Sequence, residues 1–312
     1  MIETRGLRKS FGRTLAVDDL SFRVEPGRVT GFLGPNGAGK TTTMRMMLGL
    51  DRPDAGSVTI DGRSYAQLRH PLRQVGALLD SRAVHGGRTC EQHLFAIARS
   101  NGIDRQRVAE VLDLVGLTEV GHRRIRGFSL GMSQRLGIAA ALIGDPPVLM
   151  FDEPVNGLDP EGIHWIRTLL RGLAAEGRTV LVSSHLLSEM ALTADHLVVI
   201  GRGQLIADTS TSDILARSSA SFVRVRSPQA TALAAALRGA GGTVTDQADG
   251  SLHVTGLRCE QIGDTAGAAR LYVYELAPRT GSLEAAFLEL TGDSVEFRTD
   301  SGERVTTTGT GV

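Results

Sequence analysis

At 312 residues, with 41 % hydrophobic and 22 % charged side chains, the chain is sized for one large globular domain plus a small one, each with its own core. Thirty-four basic residues balance 34 acidic ones, which argues against nucleic acid as a partner. No apolar run reaches the ~18 residues of a membrane span, and the N-terminus lacks the apolar centre of a signal peptide. The expectation is a cytoplasmic protein that meets any membrane through a partner. Cys90 and Cys259 follow no metal-ligand spacing and read as isolated thiols of a reducing compartment.

Residues 1–30 predict short strands, Ile2–Leu7 and Leu20–Val24, with Glu25-Pro26-Gly27 turning into a further strand. Phe11 falls in a polar, glycine-flanked turn. Its ring either folds onto the sheet or offers a flat face to a base.

The strand-like run Arg28–Leu33 leads into GPNGAGKTT, where Gly34, Gly39, Lys40 and Thr41 fit the phosphate-loop pattern G-x-x-x-x-G-K-[ST]. Glycines let the backbone curl so that successive N–H groups face phosphate oxygens, and the helix that follows aims its positive end at the same anion. The candidate binding stretch is therefore Gly34, Pro35, Asn36, Gly37, Ala38, Gly39, Lys40, Thr41 and Thr42. Lys40 supplies a cation for the β/γ-phosphates, and the Thr41 hydroxyl can ligate Mg²⁺. Lysine is scarce here: Lys9 and Lys40 are the only two in the chain, so a lysine at this position is not an accident of composition.

Further on, Ser57–Ile60 alternates as a strand, and Val75–Leu79 is a short buried strand ending at Asp80. From Cys90 to Leu117 apolar residues recur at helical spacing, predicting a helical subdomain inserted at about residues 85–140. Ser129 is a good helix N-cap, and Gly131 permits close approach to the helix start. By themselves these two residues make only a capped helix.

The four-residue apolar run Val148–Phe151 then delivers Asp152 and Glu153 at its carboxyl end, where open α/β sheets bind ligands. Asp152 is placed to hold Mg²⁺, and Glu153 to orient or deprotonate an attacking water. Asn156–Pro160 turns into a helix over Ile163–Ala175. The strand Thr179–Val182 ends at Ser183-Ser184-His185. A histidine after a strand is commonly structural, but here it shares a sheet edge with Asp152, which favours a γ-phosphate contact. Leu197–Ile200 and Gln204–Ala207 complete a hairpin.

Taken together, these motifs resemble the ATP-binding subunit of an ABC transporter over about residues 2–215. The resemblance rests on the Walker A loop at Gly34–Thr41, a signature element at Phe128–Met132, the Walker B strand Val148–Asp152 followed by Glu153, the D-loop Gly157-Leu158-Asp159, and the switch histidine His185. It implies an α/β fold, a P-loop NTPase sheet domain with an inserted helical subdomain, and ATP hydrolysis with Mg²⁺. It also implies Phe11 as the adenine-stacking aromatic and a head-to-tail dimer, homo- or heteromeric. Ser129 and Gly131 of one copy would then face the triphosphate held by the other.

Two motifs depart from the family pattern. Asp80 stands where the family has a glutamine that approaches the metal; a carboxylate can still accept from a metal-bound water but donates nothing when ionised. Leu130 and Met132 replace Gly and Gln of the signature, while Ser129 and Gly131 are kept, so hydrolysis is expected to survive. The form FSLGMSQRLGIAAAL with its GLDP turn resembles exporters of drugs, antibiotics or lipids whose permease is a separate transmembrane chain. An importer ATPase is the nearer alternative. A soluble relative acting on ribosomes or DNA fits less well with zero net charge and a single motif set.

Thr209–Ser221, rich in Ser and Thr, reads as a linker. Residues 216–292 then predict a small α+β domain: Phe222–Arg226, Thr243–Thr245, Leu252–Thr255 and Leu271–Glu275 as strands, and Ala230–Leu237, Glu260–Ala268 and Ser282–Leu290 as helices. Residues 293–312 read as a disordered tail.

Overall fold

The computed structural model describes residues 1–217, 222–279 and 283. In chain order the elements are β1 (Ile2–Phe11), β2 (Thr14–Val24), β3 (Val29–Leu33), α1 (Lys40–Met47), β4 (Ala55–Ile60), β5 (Val75–Leu78), α2 (Cys90–Ser100), α3 (Gln106–Leu114) and α4 (Leu130–Leu142). There follow β6 (Val148–Asp152), α5 (Pro160–Ala175), β7 (Thr179–Ser184), α6 (Leu187–Thr193), β8 (His196–Gly201), β9 (Gln204–Ser210) and α7 (Thr211–Arg217). Last come β10 (Phe222–Arg226), α8 (Ala230–Gly239), β11 (Thr243–Asp246), β12 (Leu252–Thr255), α9 (Cys259–Ala268) and β13 (Glu275–Arg279).

The central sheet has the order β5-β6-β7-β3-β8-β9, parallel except for β9, which runs antiparallel to β8. Its strands read as near-continuous apolar runs because both faces are covered; every residue of β3 and β7 is buried. A second sheet, β2-β1-β4, is antiparallel, and its inward side chains Ile2, Leu7, Leu20, Phe22 and Ile60 pack with Phe32 and Met150 of the central sheet. On the opposite face, Leu94, Val108, Val111 and Leu136 of α2–α4 join Leu149, Phe151 and Ile166 in another core. Thr89 caps α2 through a reciprocal bond with Gln92. A separate core of Val223, Val225, Leu233, Leu237, Val254 and Ile262 lies between the antiparallel sheet β11-β12-β10-β13 and helices α8 and α9.

Register fixes the site. Asp152 of β6 pairs with Ser183 of β7, and Leu33 of β3 pairs with Ser184 of β7. The acid-bearing strand and the loop-bearing strand thus end at one edge, with the tip of β7 between them.

Several expectations change. β1 and β2 form one long hairpin, so Phe11 is a strand residue paired with Thr14 rather than part of a turn. Over its described residues the expected linker is not a loop: β9 continues to Ser210 beside β8, and Thr211–Arg217 is helical. Its hydroxyls cap and anchor instead, Ser210 Oγ accepting from Asp213 N–H at 3.0 Å and Thr211 donating to the Ala194 carbonyl at 2.7 Å. The last strand lies at Glu275–Arg279, displaced from Leu271–Glu275, because register with β10 starts at Glu275. Helix α6 was not anticipated. The expected helix Ser282–Leu290 and the tail 293–312 lie outside the described residues, apart from Leu283.

Candidate active site

The loop between β3 and α1 closes on itself. Gly39 adopts φ 102, and a Cβ there would come within 2.4 Å of the Ala16 carbonyl oxygen, so only glycine allows the loop to nest against β2. No side chain caps α1, which leaves its first N–H groups to an anion. A cavity of about 230 Å³ is lined by Ala16, residues 35–42, Asp152 and Glu153. Ligand pockets commonly reach ~300–1,000 Å³, so this one is sized for a phosphate chain, with the rest of a nucleotide lying outside it.

Lys40 is 7 % exposed. Its ammonium donates to the Gly34 carbonyl at 2.7 Å and the Pro35 carbonyl at 3.3 Å, and lies 3.9 Å from Glu153 Oε1. Burial holds its pKa below the ordinary lysine value, with Glu153 and Asp152 pulling the other way. The Thr41 hydroxyl donates to Asp152 Oδ2 at 2.6 Å, and the Ser183 hydroxyl donates to Asp152 Oδ1. Ser183 Oγ also accepts from the Glu153 N–H at 3.0 Å. Glu153 itself sits at φ 50, a left-handed conformation uncommon for its type, and its Oε2 lies 2.8 Å from His185 Nδ1.

Lys40, Thr41, Asp152, Glu153 and His185 thus converge on one edge of the sheet. The Thr41 hydroxyl and Asp152 carboxylate form a small all-oxygen pair, the ligand type Mg²⁺ prefers, with room for phosphate and water to complete its shell. Among the described residues no cluster of three or more His, Cys, Asp or Glu could hold a metal unaided.

Other expected residues lie apart. Phe11 is at the tip of the β1–β2 hairpin, 52 % exposed with the Lys9 ammonium 5.4 Å from its ring centre, while the hairpin reaches the cavity at Ala16. Asp80 is exposed and does not line the cavity; its Oδ1 accepts from the Arg82 N–H at 2.8 Å, so it closes a turn instead. Ser129 caps α4 by accepting from Met132 N–H, and Gly131 lies beside Leu158; neither lines this cavity. Ser183 and Gln134 escaped the sequence reading. Ser183 had a visible sign, a polar pair ending an apolar strand, whereas Gln134 on a helix gave none.

A fully buried parallel strand feeding a glycine loop, with two acids at the end of a neighbouring strand, defines a phosphate-loop nucleoside triphosphatase. Residues 17–156 match the family model described as ABC transporter, and residues 221–284 match a domain of unknown function. The chain is 38 % identical over 308 residues to the uncharacterised ABC transporter ATP-binding protein YhcH of Bacillus subtilis, covering 95 % of this chain and 97 % of that one. It is 41 % identical to the bacitracin transport ATP-binding protein BcrA of Bacillus licheniformis, covering 67 % of this chain and 69 % of that one. Against the lantibiotic transport ATP-binding protein SrtF of Streptococcus pyogenes the identity is 35 %, with 67 % and 90 % covered. Among solved structures, an ATP-binding subunit of an ABC transporter superposes with a TM-score of 0.63 at 28 % identity, covering 69 % of this chain and 91 % of that one. The chain belongs to the ATP-binding subunits of ABC transporters, and it is an ATPase cassette. Among the described residues no helix is long and apolar enough to cross a membrane.

Proposed function

We propose that this chain hydrolyses ATP to power export, through a separate transmembrane permease, of a drug, antibiotic or lipid. The named relatives serve bacitracin and lantibiotic transport, which supports a peptide antibiotic or similar amphiphile as cargo. The protein works at the cytoplasmic face of the membrane, held there by its permease.

The observation that carries the catalytic reading is the convergence of Lys40, Thr41, Asp152, Glu153 and His185 at one sheet edge. Lys40 leaves the Gly34 and Pro35 carbonyls to meet the β/γ-phosphates, and the loop N–H groups cradle the same oxygens. Thr41 and Asp152 are the residues that would hold Mg²⁺, which would supply positive charge beside the phosphate oxygens. Glu153 accepts a proton from the attacking water, with its carboxylate oriented by His185. Phe11 stacks on the adenine from the hairpin tip. The incomplete wall is supplied by a second ATP-binding subunit, whose Ser129–Gly131 helix start aims its N–H groups at the γ-phosphate. A solved dimeric bacterial ABC cassette with the same fold, TM-score 0.62, is consistent with that pairing.

Two variants test the assignment. Lys40→Ala is expected to lose ATP binding and turnover together, while Glu153→Gln keeps binding and loses turnover. Retained hydrolysis in Glu153→Gln would remove Glu153 from the mechanism.

A further inference from the structure

Helix α4 does more than present its N-terminus. Leu130 and Gln134 are four residues apart, so they share one face of the helix, and that face looks onto the turn carrying Glu153. Gln134 is buried, and its Nε2 donates to two backbone carbonyls of that turn, Glu153 at 3.2 Å and Asn156 at 3.3 Å. Leu130 closes over Gly157, which sits at φ 76; a Cβ added at Gly157 would lie 2.0 Å from Leu130 Cδ2. The leucine that breaks the family signature therefore fits against Gly157, the residue after Asn156 and four beyond Glu153, at the end of the same turn.

The turn needs such restraint. A non-glycine residue at φ 50 persists only where its surroundings over-determine it. Ser183 holds Glu153 by its N–H and Gln134 holds it by its carbonyl, so the peptide planes on both sides of the residue are pinned and the carboxylate is directed at His185. We propose that Gln134 and Leu130 are positioning residues: α4 sets the aim of Glu153 by gripping its turn at the Glu153 and Asn156 carbonyls and at Gly157. A displacement of the α4 start then moves the Glu153 carboxylate without any change in the phosphate loop. The inference rests on the reading that Glu153 handles the attacking water.

The test is steady-state ATP hydrolysis by the full chain, with thermal melting recorded for each variant. Gln134→Leu and the similarly sized Gln134→Met both lack the donor, and each is expected to lower kcat at least about tenfold, the scale of one stranded buried carbonyl. KM for ATP should stay within about twofold, because Gln134 does not line the phosphate cavity; a merely structural role would weaken both. Leu130→Ala, which removes the side chain over Gly157 and leaves the Gly157 backbone as it is, should lower kcat likewise with KM for ATP unchanged. This variant decides the matter if the Gln134 variants do not fold. Turnover within about twofold of the parent in the Gln134 variants, or in Leu130→Ala where those do not fold, would overturn the proposal. Glu153→Gln, run alongside, separates the two readings: if it abolishes turnover while the Gln134 variants do not alter it, only the positioning role falls.

Discussion

Ser183→Ala offers a perturbation whose size can be worked from contacts. The side chain is fully buried at the tip of β7 and does two jobs with one oxygen: it donates to the Asp152 carboxylate and accepts from the Glu153 N–H. Losing a hydrogen bond to a charged group costs about 1.5–3 kcal/mol, and stranding the N–H adds about 1 kcal/mol or more. Deleting one hydroxyl leaves almost no cavity, so packing contributes little. The expected destabilisation is about 3 kcal/mol, read as a shift in the midpoint of chemical denaturation followed by far-UV circular dichroism. Turnover should fall as well, because Asp152 and Glu153 both lose a restraint. A midpoint shift equivalent to less than about 0.5 kcal/mol would refute the reasoning, since that is the size of an ordinary surface substitution.

Other outcomes follow from the same contacts. Burial lowers the Lys40 pKa, so the folded loop favours the neutral amine more than free lysine does, and a bound polyphosphate pulls the proton back. ATP affinity should therefore decline with rising alkaline pH sooner than an ordinary lysine would titrate, with proton uptake on binding there measurable by calorimetry in buffers of different ionisation enthalpy. Burial pushes the Cys90 thiol up to about 11, so at neutral pH a thiol reagent should modify the half-buried Cys259 in the native protein and leave Cys90 until unfolding. The Ser251 hydroxyl and N–H, with Arg224, hold the Asp249 carboxyl down to about 2 from 3.8. A group lowered on folding stabilises above its unfolded value, so the β11–β12 hairpin should keep this contribution at neutral pH and lose it as pH falls from 3.8 toward 2, visible in amide exchange.

The parallel sheet was legible because its strands are apolar runs stopped by glycine, acid or serine, as at Leu33-Gly34, Phe151-Asp152 and Val182-Ser183. The phosphate loop and its acids were legible for the same reason: the chemistry demands residue types at fixed spacing. What the residues alone could not supply was pairing. β1 runs on to Phe11 because β2 is there to bond it, and β9 runs to Ser210 because β8 is. The Ser and Thr residues near 210 serve as caps and anchors, a use that composition cannot tell from a linker. Gln134 became visible only when α4 was seen to pack on the Glu153 turn. For Asp80 the motif position was legible in the sequence, but not the turn in which its Oδ1 accepts from the Arg82 N–H.

The central claim is that the triphosphate site is complete only when two ATP-binding subunits meet. Sedimentation of Glu153→Gln with ATP and Mg²⁺ tests it most directly. A shift from monomer to dimer on adding ATP, absent with ADP and absent in Lys40→Ala, is the predicted result; a protein that binds ATP with full affinity yet sediments as a monomer would contradict it.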